Sequence, residues 1–235
     1  MNKEIINELV LANRILSNEG VLDGLGHISV RNAENQKTFF IAAAVPPLFV
    51  NEDDILEVDF EGNVLQNRSD KRPVSERFLH ASIYKERDDI NTVFHGHHPL
   101  LVVFSITGIP LLPVCHVGSF LYQGVPVFHN YERGSGMLIN TKEEGEKIQK
   151  CLGEKRALLM RAHGYVVVGE TLRRTVASAI YMVTNAEIQL KALSIGKEPE
   201  YLSYEEAKDA MEKALFSDSP LSRMWGYWAG RIKKH

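Results

Sequence analysis

The chain is expected to fold as a layered α/β domain around a mixed sheet. Short apolar runs of strand character interleave with segments of helical period, but not in a regular βα alternation. The early strands are joined by turn residues that suit hairpins, so part of the sheet should be antiparallel. Nothing in the 235 residues has the composition of a linker, and one domain over 1–235 is expected.

Composition narrows the function classes. An apolar fraction of 44% is ample for a sizeable core. The net charge is −3 with acids and bases interspersed, which gives no footprint for nucleic acid. The basic run Arg231-Ile232-Lys233-Lys234-His235 is expected to be a solvated tail. Two cysteines, Cys115 and Cys151, are too few for a disulfide framework and are not in Cys-x-x-Cys spacing. No signal peptide is evident after Met1, and no stretch reaches the ~18 apolar residues of a membrane span. A cytoplasmic protein with no membrane partner is expected.

Taken in order, residues 3–18 place Ile5, Ile6, Leu9, Ile15 and Leu16 at helical spacing before a stop at Gly20. Strands are expected over His27–Arg31, Thr38–Ala43 and Ile55–Phe60, the last turning through Glu61-Gly62-Asn63 into Val64–Gln66. From Ser75 to Asp88 the period becomes helical, with Phe78, Leu79, Ile83 and Tyr84 on one face. An apolar strand from Ile90 runs into His95-Gly96-His97-His98, and Pro99 opens a helix to about Thr107. Ile109 to Val127 reads as an irregular loop with strand fragments. Thr141-Lys142-Glu143-Glu144 is a capping box for a helix to about Leu152. Two apolar strands, Arg156–Met160 and Tyr165–Val168, flank Arg161-Ala162-His163-Gly164. Helices are expected over 171–195 and from Ser203 to about Leu215. Trp225 and Trp228 then share one helical face.

The chemistry is carried by histidines. In an extended segment residues i and i+2 project from one face, so His95 and His97 can present two imidazoles to one ion while His98 points elsewhere. His163, at a strand break beside Gly164, is the candidate third ligand. Three neutral imidazoles with an open position suit a catalytic metal, and zinc is the first expectation, with manganese, iron and cobalt also suited. Glu76 opens the helix before the metal strand, with Ser75 as its N-cap. It could be a fourth ligand, a general acid/base, or an acid placed for the helix dipole. His27 could bind or protonate substrate, and His116 could reach the cavity from its loop. Arg31 or Arg77 could hold a carboxylate. His80, His98 and His129 have no pattern behind them.

Four segments in order then resemble the class II aldolase/adducin family. They are Gly26-His27-Ile28-Ser29-Val30-Arg31, Ser75-Glu76, His95-Gly96-His97, and the late stretch from Leu158 through His163-Gly164 to Gly169. The resemblance covers about residues 5 to 195. It implies a three-layer α/β/α sandwich with a mixed, largely antiparallel central sheet, followed here by a helical C-terminal extension. It also implies one divalent metal on His95, His97 and His163, Glu76 as acid/base or ligand, and a homotetramer whose sites lie near subunit interfaces. The aromatic C-terminal region would then cover a neighbour's site.

The departures choose the reaction. Sugar-phosphate members carry Gly-Asn in the first motif, a Ser/Thr-Gly turn after the second strand, and Ser-Ser-Glu before the metal strand. Here His27 replaces the Asn, the turn reads Ala43-Ala44-Val45-Pro46-Pro47, and Val74-Ser75 precedes Glu76. Proline lacks the N–H, and alanine and valine the hydroxyl, that a phosphate cradle needs. Gly-His-x-Ser-x-Arg with Glu76-Arg77 looks like the family's decarboxylase branch. The expected function is therefore a metal-dependent lyase that decarboxylates a small hydroxyaromatic or keto/semialdehyde acid through a metal-stabilised enolate. Glu76 and His27 are the expected catalytic residues, and Ser29, Ser75, Arg77 and His116 the substrate-binding ones. An aldolase on a hydroxy-carbonyl substrate, a non-haem iron oxygenase and an adducin-like interaction module are the alternatives.

Overall fold

The computed structural model describes residues 2–67 and 70–232. Lys233, Lys234 and His235 of the basic tail, and Met1, lie outside the described residues. Eight strands form one sheet: β1 (His27–Arg31), β2 (Thr38–Ala42), β3 (Ile55–Asp59), β4 (Val64–Gln66), β5 (Thr92–Gly96), β6 (Val127–Phe128), β7 (Ala157–Met160) and β8 (Gly164–Gly169). Their spatial order is β4-β3-β2-β1-β5-β8-β7-β6. Every pairing is antiparallel except β6 with β7. The sheet is thus mixed and largely antiparallel, as expected.

Both faces are covered, which is why β2, β7 and β8 read as near-continuous apolar runs. Successive side chains still point to opposite faces. Phe40 and Ala42 of β2 pack with α1 (Asn2–Asn18), α3 (Pro99–Thr107), α5 (Leu172–Ser194) and α7 (Asp218–Arg231). Phe39 and Ile41 pack the other way, with α2 (Arg77–Glu86) and α4 (Lys142–Leu152). α6 (Tyr204–Ala210) starts with the Ser203/Glu206 capping box and runs into a π-helical turn, Met211–Leu215.

Two expectations need correcting. Ser75 is not the N-cap of α2; Glu76 occupies that position, outside the first turn, and its side chain makes no capping bond. The 109–127 loop holds a 3-10 turn, His116–Leu121, and is pinned by two amides four apart on α5. Gln189 accepts from Leu112 N–H and donates to Pro110 O, while Asn185 accepts from Val114 N–H and donates to Leu112 O. These side chains do for the loop backbone what a neighbouring strand would. On α7, Trp225 and Trp228 are both buried against their own chain, while Tyr227 between them is exposed. Trp228 packs edge-on to Tyr181 of α5, and Trp225 lies under the Arg173 guanidinium.

Candidate metal centre

The site is built across three adjacent strands, β1, β5 and β8. His27 lies directly opposite His95 in the β1–β5 ladder, and Gly96 opposite Tyr165 in the β5–β8 ladder. Glycines permit this crowding. A Cβ on Gly26 would stand 2.8 Å from His95 O, and one on Gly164 would stand 2.3 Å from Gly96 O. Neither carbonyl can move without breaking its strand, so the spacing requires the missing side chains.

His95 projects from β5 itself, and His97 from just past its end. His163 sits in the tight β7–β8 turn, closed by its own N–H donating to Met160 O at 3.0 Å. That turn forces Ala162 to φ +55, and the Ala162 N–H is held by Ser105 Oγ of α3 at 3.0 Å. Glu76 enters from the N-terminus of α2, where Ile139 N–H donates to its Oε1 at 3.0 Å. The outcome is a cluster of Glu76, His95, His97 and His163 whose ligand atoms all lie within 4.8 Å of one another. Glu76 Oε2 is 3.4 Å from His95 Nε2, and Oε1 is 3.8 Å from His163 Nε2. The His97 and His163 rings stack nearly parallel at 5.2 Å.

Partners fix two of the tautomers. His95 Nδ1 faces Tyr165 O at 3.0 Å, and a carbonyl only accepts, so Nδ1 carries the proton. His97 Nδ1 faces the Asp23 carboxylate at 3.1 and 3.2 Å, with the same consequence. Asp23 also accepts from the amides of Leu25 and Gly26. Burial raises its pKa, but His97 and those amides hold it below the ordinary carboxylate value. The Nε2 lone pairs of both histidines are thereby left for the centre.

His95 Nε2 is buried without a hydrogen-bond partner among the described residues. A lone pair facing a carboxylate at 3.4 Å is favourable only with a cation between them. A proton could serve that one pair, but convergence of two further imidazoles fits a metal ion. The charge states agree. Burial, then the neighbouring His95, pulls His163 down to about 4, and burial pulls His27 down to about 3. Burial alone would raise the pKa of Glu76, but the surrounding imidazoles, His95 first, hold it well below its ordinary range. Neutral nitrogens around an ionised carboxylate form a donor set able to hold a divalent ion.

A family model described as Class II Aldolase and Adducin N-terminal domain matches residues 7–190. The chain belongs to the class II aldolase/adducin family. Over 199 residues it is 31% identical to a protein named decarboxylase tropJ from Talaromyces stipitatus, covering 77% of this chain and 73% of the relative. Over 203 residues it is 30% identical to a 3,4-dihydroxyphthalate decarboxylase from Arthrobacter keyseri, covering 80% and 78%. Among solved structures, an L-fuculose 1-phosphate aldolase from Glaciozyma antarctica PI12 superposes with a TM-score of 0.79. The two are 23% identical, and the match covers 97% of this chain and 87% of that one. That last likeness is one of fold.

For a member of this family the remaining candidates divide clearly. A cavity of about 620 Å³ opens on the centre, lined by His27, Glu76, His97, His163 and Ser75 and walled on one side by residues 42–47. His116 is exposed at the start of its 3-10 turn and does not line this cavity. Arg77 is turned away, donating to Gly62 O and Val74 O. Arg31 is buried beneath β1, donating to the carbonyls of Ile90, Gln36, Tyr84 and Arg87. Ser29 lies under the cavity floor, bonded to His80 and Tyr84. His98 caps α3, its Nδ1 accepting from Leu100 N–H.

Sequence reading missed Asp23 and Tyr131 and set His80 aside. Tyr131 donates to Arg161 O at 3.2 Å, and its ring stands 6.2 Å from His163. His80 is fully buried against His27, and four residues later Tyr84 joins it on the same face of α2. A polar side chain on an otherwise apolar helical stripe was the available signal.

Proposed function

We propose that this chain is a divalent-metal-dependent carbon–carbon lyase that decarboxylates a small hydroxyaromatic or keto/semialdehyde carboxylic acid. One observation carries the reading. The Glu76/His95/His97/His163 cluster opens on a cavity whose facing wall, Ala42 to Pro47, offers methyl groups and proline rings where a phosphate would need hydroxyls and amides. The names of the two decarboxylase relatives support it.

His95, His97 and His163 would hold the ion, with Glu76 beside it; zinc suits the donor set best. When bound, the ion supplies Lewis-acid polarisation of adjacent hydroxyl or carbonyl oxygens. The protein's own groups do the rest. Glu76, ionised in this setting, accepts the proton of a substrate hydroxyl. The bond to the carboxyl group breaks, its electron pair stays on the substrate carbon, and carbon dioxide leaves into the apolar side of the cavity. Protonated Glu76 then returns its proton to that carbon, and solvent protonates the product oxygen. The apolar wall excludes water from the carbanion during this interval.

The reading includes a homotetramer in the cytoplasm, in keeping with unbridged Cys115 and Cys151 and with the exposed apolar side chains of Val103, Ile106 and Ile109. The deciding assay is carbon dioxide release by metal-reconstituted protein from a panel of hydroxyaromatic and semialdehyde acids, beside non-phosphorylated hydroxy-carbonyl compounds. Release from one acid class supports the reading. Retro-aldol cleavage alone would move the chain to the aldolases.

A further inference from the structure

A line of buried polar groups leaves the cavity through His27 and has no part in the steps above. His27 Nδ1 is 2.7 Å from His80 Nε2, and His80 Nδ1 is 2.7 Å from Ser29 Oγ. Ser29 Oγ is in turn 2.8 Å from the Tyr84 hydroxyl. Ser29, His80 and Tyr84 are wholly buried, and His27 retains 3% exposure, at the cavity. Four side chains from β1 and α2 therefore form one relay between the site and the core.

The protons in such a relay can run in two directions, and the surroundings distinguish them. In the first, Tyr84 donates to Ser29, Ser29 to His80 Nδ1, and His80 Nε2–H to His27 Nδ1. His27 then carries its proton on Nε2, the nitrogen 3.9 Å from Glu76 Oε2. In the second, His27 Nδ1–H donates to His80 and His80 Nδ1–H donates to Ser29. The Tyr84 hydroxyl has one acceptor in reach among the described residues, Ser29 Oγ. It must then share that oxygen with His80, pushing the serine proton onto Val93 O at 3.5 Å, the limit of a hydrogen bond. The second direction also turns the His27 lone pair toward the Glu76 carboxylate. The first direction gives each of the three relay contacts one donor and one acceptor, at 2.7, 2.7 and 2.8 Å, and turns an N–H toward the negative charge.

We propose that His80, Ser29 and Tyr84 are positioning residues that fix His27 as an Nε2–H donor aimed into the cavity, where it binds an anionic oxygen of the substrate. The tautomer follows from the relay alone. Naming the acceptor as a substrate oxygen rests on the lyase reading above. A carboxylate or enolate oxygen is repelled by Glu76 and finds in His27 the donor on the same side of the cavity.

The test is long-range proton–nitrogen correlation of protein labelled with 15N-histidine, with signals assigned from His27→Gln and His80→Gln. Both rings are expected as Nε2–H tautomers in the native protein, a measurement that needs no substrate. Tyr84→Phe and Ser29→Ala should each bring the Nδ1–H form of His27 into view, and two variants guard against one failing to fold. If an acid substrate is turned over, Tyr84→Phe should lower kcat/KM by about tenfold with the metal content unchanged. Nδ1–H tautomers in the native protein would overturn the proposal. So would a His27 tautomer that neither variant alters. Absence of turnover with every acid would sink the lyase reading and leave the tautomer result standing.

Discussion

His97 donates its Nδ1 proton to Asp23, 3.1 Å away, so a carboxylate from the loop after α1 sets the tautomer of a ligand at the end of β5. Asp23 gathers two backbone amides at the same oxygen, which fixes its orientation in turn. Replacing it should loosen the His97 ring without disturbing the core, because Asp23 is half-exposed. Asp23→Ala is expected to raise the metal dissociation constant by about 10- to 100-fold. Calorimetric titration of the metal into apoprotein checks this. An unchanged affinity would mean that His97 is not a ligand.

Gly164 tests whether the close approach of strands is what builds the site. Its missing Cβ leaves room for Gly96 O, which a methyl group would meet at 2.3 Å, and for His97 Cδ2 at 3.0 Å. The carbonyl belongs to the β5–β8 ladder and cannot retreat alone. Gly164→Ala should destabilise the fold by about 1–3 kcal/mol, as overpacking does. It should also weaken metal binding, since His97 and His163 flank the clash. Gly226→Ala is the control: it lies exposed in α7 with open space around it and no positive φ. A thermal melt with and without metal separates the two effects.

Much of this site is legible in the sequence. Strand period gave His95 and His97 one face, and His163-Gly164 broke an apolar run at a place where a turn had to fall. What could not be read was lateral. Opposition of His27 to His95 depends on register between strands more than sixty residues apart, and no local pattern encodes it. Arg77 and His116 carry suggestive chemistry but point away, because helix phase and loop path decide direction and residue type does not. Asn185 and Gln189 show the same limit. They look like polar interruptions of a helical stripe until the loop that they anchor is seen beside them.

Acid should unfold the apoprotein in a defined window. His27 and His163 are held neutral in the fold, at about 3 and about 4, and burial holds His80 well below its ordinary value too. In the unfolded chain they titrate near 6.5. Between about pH 6.5 and pH 4 the unfolded state therefore binds more protons, and stability falls as pH falls. Glu76, depressed in the fold, adds a loss of the same sign below its unfolded value of 4.5. The urea midpoint of chelated protein should drop steadily from pH 7 to pH 4.5. His27→Gln should flatten that slope, and a midpoint independent of pH in this range would contradict the burial of neutral imidazoles.

Glu76→Gln separates the charge of the carboxylate from its shape. The amide can keep the bond from Ile139 N–H through its oxygen, and its NH2 can donate to His95 Nε2, the atom that otherwise lacks a partner. The apoprotein should therefore melt close to the native temperature, since a poorly matched pair of lone pairs becomes a hydrogen bond. Metal binding should suffer, because the one anionic donor in the cluster is gone. At a fixed excess of ion, each tenfold rise in dissociation constant removes about 1.4 kcal/mol of metal-conferred stability. The gap between the apo and metal-loaded melting temperatures should accordingly shrink while the apo temperature holds. If the gap stays the same and only turnover is lost, Glu76 carries protons and does not touch the ion. If both stay the same, the cluster is not the reactive centre.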